Sequence, residues 1–229
     1  DKRDFMGAKG LRNFERRVIA PKLNSDLNID RQKRVYGKFS SFSTTLTGVG
    51  TGYWDDATKD PLRHLMHAAA QIKLKSREHP PDMVIWFDDF EWFRANPKVT
   101  QRFGVNCTTV AIGEVEDLLS AKLFSGRRRI RVHVTDANYD AANEGQAQDQ
   151  QWILQDSSAL LYVNPSPSLE EPSALYTYQL KDLSVEMFEV KKNRSQVWGA
   201  SEICGEEVVQ AGAGCHFSAM TQNKVTDTP

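Results

Sequence analysis

The chain has 229 residues, of which 29 are lysine or arginine and 30 are aspartate or glutamate, so its formal net charge at pH 7 is −1. A balance this close to zero excludes a polybasic protein and an acidic tail protein, because either would need a large surplus of one sign. With 40% hydrophobic and 26% charged residues, the composition is that of a globular protein with one or two domains.

The sequence contains no membrane-spanning or targeting pattern. No apolar run reaches the length of roughly 18 residues that a spanning helix needs, and no charged-then-apolar signal segment opens the chain. The absence of an initial methionine before Asp1 suggests a processed chain or missing upstream residues.

The three cysteines, Cys107, Cys204 and Cys215, form no CxxC pair, which favours buried thiols in a reducing compartment over a disulfide framework.

The first part of the chain predicts two helices separated by a polar loop. Apolar residues at helical spacing predict a helix over residues 5–23, which Pro21 should end or kink. The Thr- and Gly-rich residues 40–58 predict a loop. The dipeptide Asp60-Pro61 is typical of a helix start, with aspartate as the cap, and predicts a second helix over 61–78.

A short apolar run over 82–87 predicts a buried strand. Asp88 and Asp89 follow it directly and are predicted to cap a third helix, which Asn96-Pro97 closes.

The second half of the chain predicts one more helix and then mainly strands. The helix covers 112–124, the half-exposed strand covers 129–134, and a polar loop covers 135–151. Six further segments have strand-like patterns: 152–154, 159–163, 174–180, 185–190, 196–203 and 208–217.

Four patterns resemble sites of chemistry, and each has a simpler interpretation. His64 and His67 could share a metal on one helix, but no third ligand accompanies them, so packing or solvated histidines are favoured. Asp88, Asp89 and Glu91 could be catalytic acids after a strand, but an N-cap followed by first-turn acids, which the helix dipole favours, explains them without a substrate.

The glycine-rich segment 48–52 lacks the Lys-Ser/Thr pair of a phosphate-binding loop and is interpreted as a flexible connection. A basic run from Arg127 to Arg131 could contact phosphates. No aromatic residue interleaves with it, so contact with another protein chain is favoured over contact with nucleic acid. The sequence therefore predicts no catalytic, cofactor-binding or metal-binding residue.

Taken in order, several segments resemble the major capsid protein of tailed bacteriophages, whose shell fold is shared with encapsulin nanocompartments and the herpesvirus capsid floor. The first, LRNFERRVIA (11–20), is similar to the family's spine helix. The other segments are WDDATKDPLRHLMHAAAQI (54–72), PPDMVIWFDDFEWFRANPKV (80–99), VTDANYDAANEGQAQDQQWILQDSSALLYVNPSPSLEEPSALYTY (134–178) and VEMFEVKKNRSQVWGASEICGEEVVQAGAGCHF (185–217).

This resemblance implies an α+β fold with two domains. A peripheral domain with the spine helix and long strands is expected in residues 1–104 and 181–229. An axial domain, a central sheet flanked by helices, is expected in residues 105–180. Members of the family normally carry an N-terminal arm and an extended loop before the spine helix, whereas this sequence opens almost at that helix.

The resemblance also suggests which residues meet neighbouring subunits. The candidates for subunit contacts are the charged residues Arg12, Glu15, Arg16, Arg17, Arg127, Arg128, Arg129 and Arg131. The candidates for a loop that lines the axis of each capsomer are Asn138, Tyr139, Asp140, Asn143, Glu144 and Gln146.

The function implied is structural and not enzymatic. Pentamers and hexamers of the chain would form an icosahedral virion capsid, assembled in the host bacterial cytoplasm, around double-stranded DNA held by proximity and not by sequence. A portal protein, and scaffolding or decoration proteins, are the expected partners, and no membrane is involved. The alternatives are an encapsulin-type compartment enclosing a cargo enzyme, an α/β enzyme using Asp88, Asp89 and Glu91, and a nucleic-acid-binding module.

Overall fold

The computed structural model describes residues 20–103, 110–124, 129–142, 146–164, 173–190 and 195–222. The α-helices are α1 (Ala20–Gly37), α2 (Gly48–Thr51), α3 (Pro61–Ser76), α4 (Phe87–Ala95), α5 (Pro97–Thr100) and α6 (Ile112–Phe124). The strands are β1 (Thr45–Thr47), β2 (Asp82–Trp86), β3 (Arg131–Thr135), β4 (Asn138–Asp140), β5 (Gln150–Trp152), β6 (Ser157–Leu161), β7 (Leu175–Val190), β8 (Ser195–Val208) and β9 (Gly214–Ser218). Short 3-10 turns cover Lys38–Ser41 and Ala211–Ala213.

The chain divides into two compact units. Unit 1 combines residues 1–35 with 177–206, and its described elements are α1 and most of strands β7 and β8. Unit 2 combines residues 36–176 with 207–229 and contains the remaining helices and strands. The limit between residues 176 and 177 lies close to the predicted domain boundary at 180, whereas no limit falls near residue 104, because strands from both sides of that residue share one sheet.

A five-stranded mixed sheet in the order β1-β9-β6-β2-β3 forms the centre of unit 2. Strands β2 and β3 are parallel, as are β1 and β9, whereas β6 runs antiparallel to both of its neighbours. A parallel pair needs a crossover, and helices α4 to α6 supply it between β2 and β3.

The core of unit 2 lies where α3 and α4 pack on this sheet. Trp54 is fully buried, and its ring centroid lies 5.6 Å from both Phe93 and Phe217. Leu65 and Ile72, one face of α3, are equally buried in the same cluster. The apolar stripe predicted for this helix therefore supplies the packing that stabilises unit 2.

Helix α3 confirms the predicted start signal. The Asp60 carboxylate accepts a hydrogen bond from the Leu62 N–H at 3.2 Å, and Pro61 occupies the first turn. The helix ends at Arg77, whose φ of 64° lies in the left-handed region that glycine normally occupies. The predicted strand over 82–87 and helix over 112–124 are also confirmed, as β2 and α6.

Two predicted helix boundaries differ in part from the structure. Helix α1 continues to Gly37, beyond the predicted end at residue 23, and Pro21 lies in the first turn of its described part, where proline is tolerated. The rest of the predicted 5–23 helix lies outside the described residues. Asp88 and Asp89 are first-turn acids of α4, as predicted, but neither is its cap, because the N-cap is Trp86.

The two predicted loops contain strands that the sequence pattern did not reveal. Residues 40–58 include β1, which pairs in parallel with β9, and residues 135–151 include β4, which pairs with β5. Conversely, the two strands predicted over 174–180 and 185–190 are one strand, β7. The strand predicted over 208–217 is interrupted by the turn Ala211–Ala213. No described helix is both long enough and apolar enough to cross a bilayer.

Candidate assembly surfaces

Arg131, a predicted contact residue, forms an ion pair with a carboxylate of the same chain. The register of β2 and β3 places it beside Asp82, which is almost fully buried. Its Nη2 lies 2.8 Å from Asp82 Oδ1 and donates to Oδ2 at 3.0 Å. His133 lies two residues further along β3, so it shares this face of the strand, and its Nε2 is 3.2 Å from the same Oδ1. Arg131 thus compensates a buried carboxylate, while 60% of its side chain remains exposed.

Arg129 also pairs with a carboxylate of the same chain while its side chain remains largely exposed. Its Nη2 lies 3.2 Å from Oε2 of Glu116 on α6, and the other oxygen of that carboxylate accepts the backbone N–H of Val132 at 2.9 Å. Glu116 therefore ties α6 to the beginning of β3. The Arg129 side chain is largely exposed and available to a neighbour. The remaining predicted contact residues, Arg12, Glu15, Arg16, Arg17, Arg127 and Arg128, lie outside the described residues.

Among the described strands, β3 lies at one edge of the five-stranded sheet. An open edge would accept a strand from another chain unless charged side chains discourage it. Arg131 and His133 place half-exposed side chains on one face of this strand. The edge therefore favours contact through side chains over continuation of the sheet.

The predicted axis loop begins and ends in a small hairpin. Asn138, Tyr139 and Asp140 form β4, and Tyr139 donates its hydroxyl to Gln151 Oε1 of β5 at 2.9 Å. The Asp140 carboxylate accepts two backbone N–H groups, from Asp149 and Ala142, each at 3.0 Å, and these bonds lower the pKa of Asp140.

The base of this hairpin is attached to the rest of unit 2 by an aromatic contact. Trp152 of β5 stacks on Phe87 at the start of α4, with centroids 6.4 Å apart. Gln146 is exposed, and Asn143 and Glu144 lie outside the described residues. The described strands of the predicted axis loop are therefore polar and are anchored at their base.

Unit 1 contains an ion-pair ladder that the sequence interpretation missed. Arg31 and Arg34 lie three residues apart on α1, and they pair with Glu202 and Glu206 on β8. Arg34 Nε donates to Glu206 Oε2 at 2.8 Å, and its Nη2 lies 3.1 Å from the Cys204 sulfur between the two glutamates.

Two residue spacings in the sequence could have predicted this ladder, one between the arginines and one between the glutamates. An i, i+3 pair of arginines shares one helix face, and glutamates four residues apart share one strand face. The predicted helix ended at residue 23, so it did not include Arg31 and Arg34. Both glutamate side chains are nearly buried, and the Arg34 hydrogen bonds lower the pKa of Glu206.

The β7–β8 ribbon of unit 1 exposes large apolar side chains. Tyr178 and Leu180 lie on one face of β7 and are 57% and 85% exposed, and Ile203 on β8 is 52% exposed. A stable strand pair normally turns such side chains into a core. The ribbon therefore presents apolar surface that suits a contact with another chain.

The three carboxylates considered for catalysis do not form a shared site. Asp88 and Asp89 are fully buried, whereas Glu91 pairs with Arg94 one turn later on α4, at 2.6 Å. Asp89 accepts hydrogen bonds from Ser158 at 2.7 Å and Thr221 at 3.1 Å. Asp89 thus ties α4 to β6 and to the segment that follows β9. This arrangement supports a structural role in place of both capping and catalysis.

Burial raises the pKa of the Asp89 carboxyl. Removal from water raises the pKa of its carboxyl to about 6, although the two hydroxyl hydrogen bonds act in the opposite direction. The neighbouring charges of Asp156 and Asp88 raise the pKa further. Unfolding should therefore be sensitive to pH near neutrality.

The histidine and glycine patterns also have structural roles. His64 Nδ1 accepts a hydrogen bond from the Trp54 indole at 3.1 Å, and burial lowers the pKa of this histidine. No group of three metal-ligating side chains occurs among the described residues. A Cβ at Gly48 would lie 2.3 Å from the Ala219 carbonyl oxygen, so the glycine allows close packing of α2.

Comparison with known proteins gives matches in structure only. No protein-family model and no curated protein matches the sequence. A phage-related protein from Bordetella bronchiseptica is 19% identical, with a TM-score of 0.70 over 89% of this chain and 67% of that chain. A virus-like particle from Pyrococcus furiosus is 14% identical, with a TM-score of 0.52 over 84% and 64%. A capsid structure of the cyanophage P-SCSP1u is 12% identical, with a TM-score of 0.51 over 89% and 65%.

These identities establish a shared fold and no more. The chain has the α+β fold of tailed-phage capsid proteins, as the sequence resemblance predicted. It spans about two thirds of the length of the structures that it matches.

Proposed function

We propose that this chain is the subunit of an icosahedral protein shell, in which many copies form pentamers and hexamers. The observation that carries the proposal is the shared capsid fold, together with a unit 1 that exposes apolar side chains along its ribbon. Closed rings need head-to-tail interfaces between different patches of one subunit. The Tyr178/Leu180 face and the β3 edge are two different patches of that kind.

In this proposal the two compact units take the two roles of a capsid subunit. Unit 1, with the long helix α1 and the long strands, corresponds to the peripheral domain. Unit 2, with a central sheet flanked by helices, corresponds to the axial domain, and its β4–β5 hairpin lines the capsomer axis. Arg129 and Arg131 contact a neighbouring subunit with the donors that Glu116 and Asp82 leave available.

The finer proposal is a phage capsid around double-stranded DNA, assembled in a bacterial cytoplasm with portal and possible scaffolding or decoration proteins. The near-neutral net charge supports packaging by enclosure and not by a basic inner surface. The match to a virus-like particle favours a second candidate, a compartment that encloses protein cargo. Both candidates are structural and involve no catalytic turnover.

The test is assembly of the purified chain, followed by electron microscopy and sedimentation. We expect closed shells for the wild type, and dissociated but folded subunits for Leu180→Glu, because a carboxylate on the ribbon face cannot be desolvated in an interface. The matched control is Val49→Glu, which changes an exposed apolar residue of α2 in unit 2 and should still assemble. Shells that form equally well with Leu180→Glu would contradict the assignment of this face, and a monomer under all conditions would contradict the shell function.

The contents of particles isolated from the native source distinguish the two candidates. Nuclease-protected double-stranded DNA would support the capsid. A folded protein cargo without DNA would support the compartment.

A further inference from the structure

A small groove lies between helices α3 and α6 on unit 2. Its volume is about 200 Å³. Ala69 and Leu123 supply apolar surface, and Met66, 45% exposed, lies at one side. The cationic side chains of Lys73 and Lys122 flank it, one from each helix.

The size of the groove excludes most small-molecule ligands. Pockets for drug-sized ligands and cofactors have volumes of about 300 to 1,000 Å³. A volume of about 200 Å³ has room for one leucine- or phenylalanine-sized side chain. Single buried side chains of this kind are the usual anchors of protein and peptide interfaces.

The charge around the groove is of one sign. Lys73 and Lys122 are exposed, and none of the described residues that line the groove carries a carboxylate. His79 adds an imidazole to the lining. On a chain whose net charge is only −1, two lysines beside an apolar floor select for an anionic partner.

The apolar surface continues along α3 beyond the groove. Met66, Ala70 and Leu74 follow one another at i, i+4 spacing, so they form a stripe on adjacent turns, and Leu74 is 77% exposed. The outward face of a helix on a globular domain is normally polar. A stripe of this length suits an extended or helical segment in preference to a single ligand molecule.

We propose that this groove binds an acidic, amphipathic segment of a partner protein. One apolar side chain of that segment enters between Ala69 and Leu123, and its neighbouring carboxylates pair with Lys73 and Lys122. Duplex DNA fits less well, because phosphates would pair with the lysines but would leave the apolar floor and stripe uncovered. This binding goes beyond shell formation, since none of the groove residues belongs to the Tyr178/Leu180 face or the β3 edge.

The experiment is a selection of random displayed dodecapeptides on the full chain. The library is counter-selected on a groove variant, Ala70→Trp with Lys73→Glu and Lys122→Glu, whose three positions are exposed, so its fold should survive. Circular dichroism and thermal unfolding verify this. The control variant, Lys59→Glu with Lys98→Glu, makes the same charge changes in a different recess of unit 2. Fluorescence anisotropy of the enriched peptides then gives their affinities.

We expect enriched peptides that carry an aromatic or aliphatic residue beside aspartate or glutamate. Their affinity should fall by at least about tenfold for the groove variant and stay unchanged for the control. The proposal is overturned if no peptide survives counter-selection, or if the survivors lack acidic residues. It is also overturned if both variants weaken binding alike, or if a short DNA duplex displaces the peptides and loses affinity for the groove variant to the same extent.

Discussion

The described side chains of the two compact units make different kinds of internal contact. Unit 2 has a continuous apolar core, in which Trp54, Phe93 and Phe217 meet α3 and the central sheet. Among the described side chains of unit 1, the most buried are the charged groups of Glu202 and Glu206. The described contacts between α1 and β8 are their ion pairs with Arg31 and Arg34 and one hydrogen bond from Arg34 to Cys204.

This contrast concerns what stabilises the described part of each unit. An apolar core stabilises a unit without help from outside, at about 25 cal/mol for each Å² removed from water. Ion pairs that remain partly exposed contribute little, usually below about 1 kcal/mol each. Unit 1 thus has a defined arrangement of charges but exposes apolar ribbon surface, which a neighbouring subunit would bury in the proposed shell.

The largest expected effect comes from opening the core of unit 2. Phe93→Ala should lower the free energy of unfolding by about 3 to 5 kcal/mol, because a fully buried aromatic ring leaves a cavity. Tyr178→Ala on the exposed ribbon of unit 1 should change it by less than about 0.5 kcal/mol in the unassembled subunit. Denaturant unfolding measures both, and similar losses for the two variants would remove the contrast between the units.

The second effect is the pH dependence of Asp89 in unit 2. Its folded pKa of about 6 lies above the ordinary 3.8, so its contribution to stability is complete below pH 3.8 and is lost as pH rises through 6. Asp89→Asn should therefore stabilise the protein by up to about 3 kcal/mol at pH 8 and remove this pH dependence. Denaturant unfolding across this pH range is the measurement.

Asp140 is the matched control for this titration, because its pKa is shifted in the other direction. Its carboxylate is exposed, and backbone hydrogen bonds lower its pKa, so its contribution is present above the unfolded pKa and is lost as pH falls through the folded pKa. Asp140→Asn should reduce stability at neutral pH. A stabilisation by Asp140→Asn, or none by Asp89→Asn, would contradict the sign of these shifts.

The third effect tests the ladder of unit 1. In a double-mutant cycle, Arg34→Met and Glu206→Gln should show a coupling of about 0.5 to 1 kcal/mol that weakens with added salt. Hydrogen exchange of α1 and β8 is the suitable measurement, because it reports opening of this unit separately. A coupling that is independent of salt would mean that packing, and not charge, holds α1 to β8.

The smallest effect concerns the end of α3. Arg77→Gly should stabilise unit 2 by up to about 1 kcal/mol, since glycine adopts a positive φ without steric cost. Thermal unfolding should show a slightly raised midpoint. Destabilisation would indicate that the Arg77 side chain makes a contact worth more than the relieved backbone strain.

Local patterns predicted the elements whose signals are complete within a few residues. The Asp60-Pro61 start of α3, the apolar run of β2 and the amphipathic α6 are examples, because caps and periodicity act over one or two turns. Strand β1 escaped prediction because three residues with a single apolar side chain, Leu46, form a strand only when β9 pairs with them.

The candidate site was predicted only in part, because local sequence does not show which distant residues meet in the fold. Arg129 and Arg131 were found as a basic run, but their partners Glu116 and Asp82 are distant in sequence. Arg34 and Glu206 were missed because their meeting depends on how α1 packs against β8. Asp88 and Asp89 were assigned as caps, since local sequence cannot show that a first-turn carboxylate is buried under Ser158 and Thr221.

The sequence by itself determined the near-zero charge, the helical stripe of α3, the buried strand β2 and, through ordered segments, the capsid fold that the structural comparisons confirm. Only the tertiary structure decided the composition of the two units, because strands distant in the chain complete a single sheet. It also decided which charges are already paired within the subunit. A charge is present in the sequence, but its partner depends on packing, and packing arises from contacts between residues far apart along the chain.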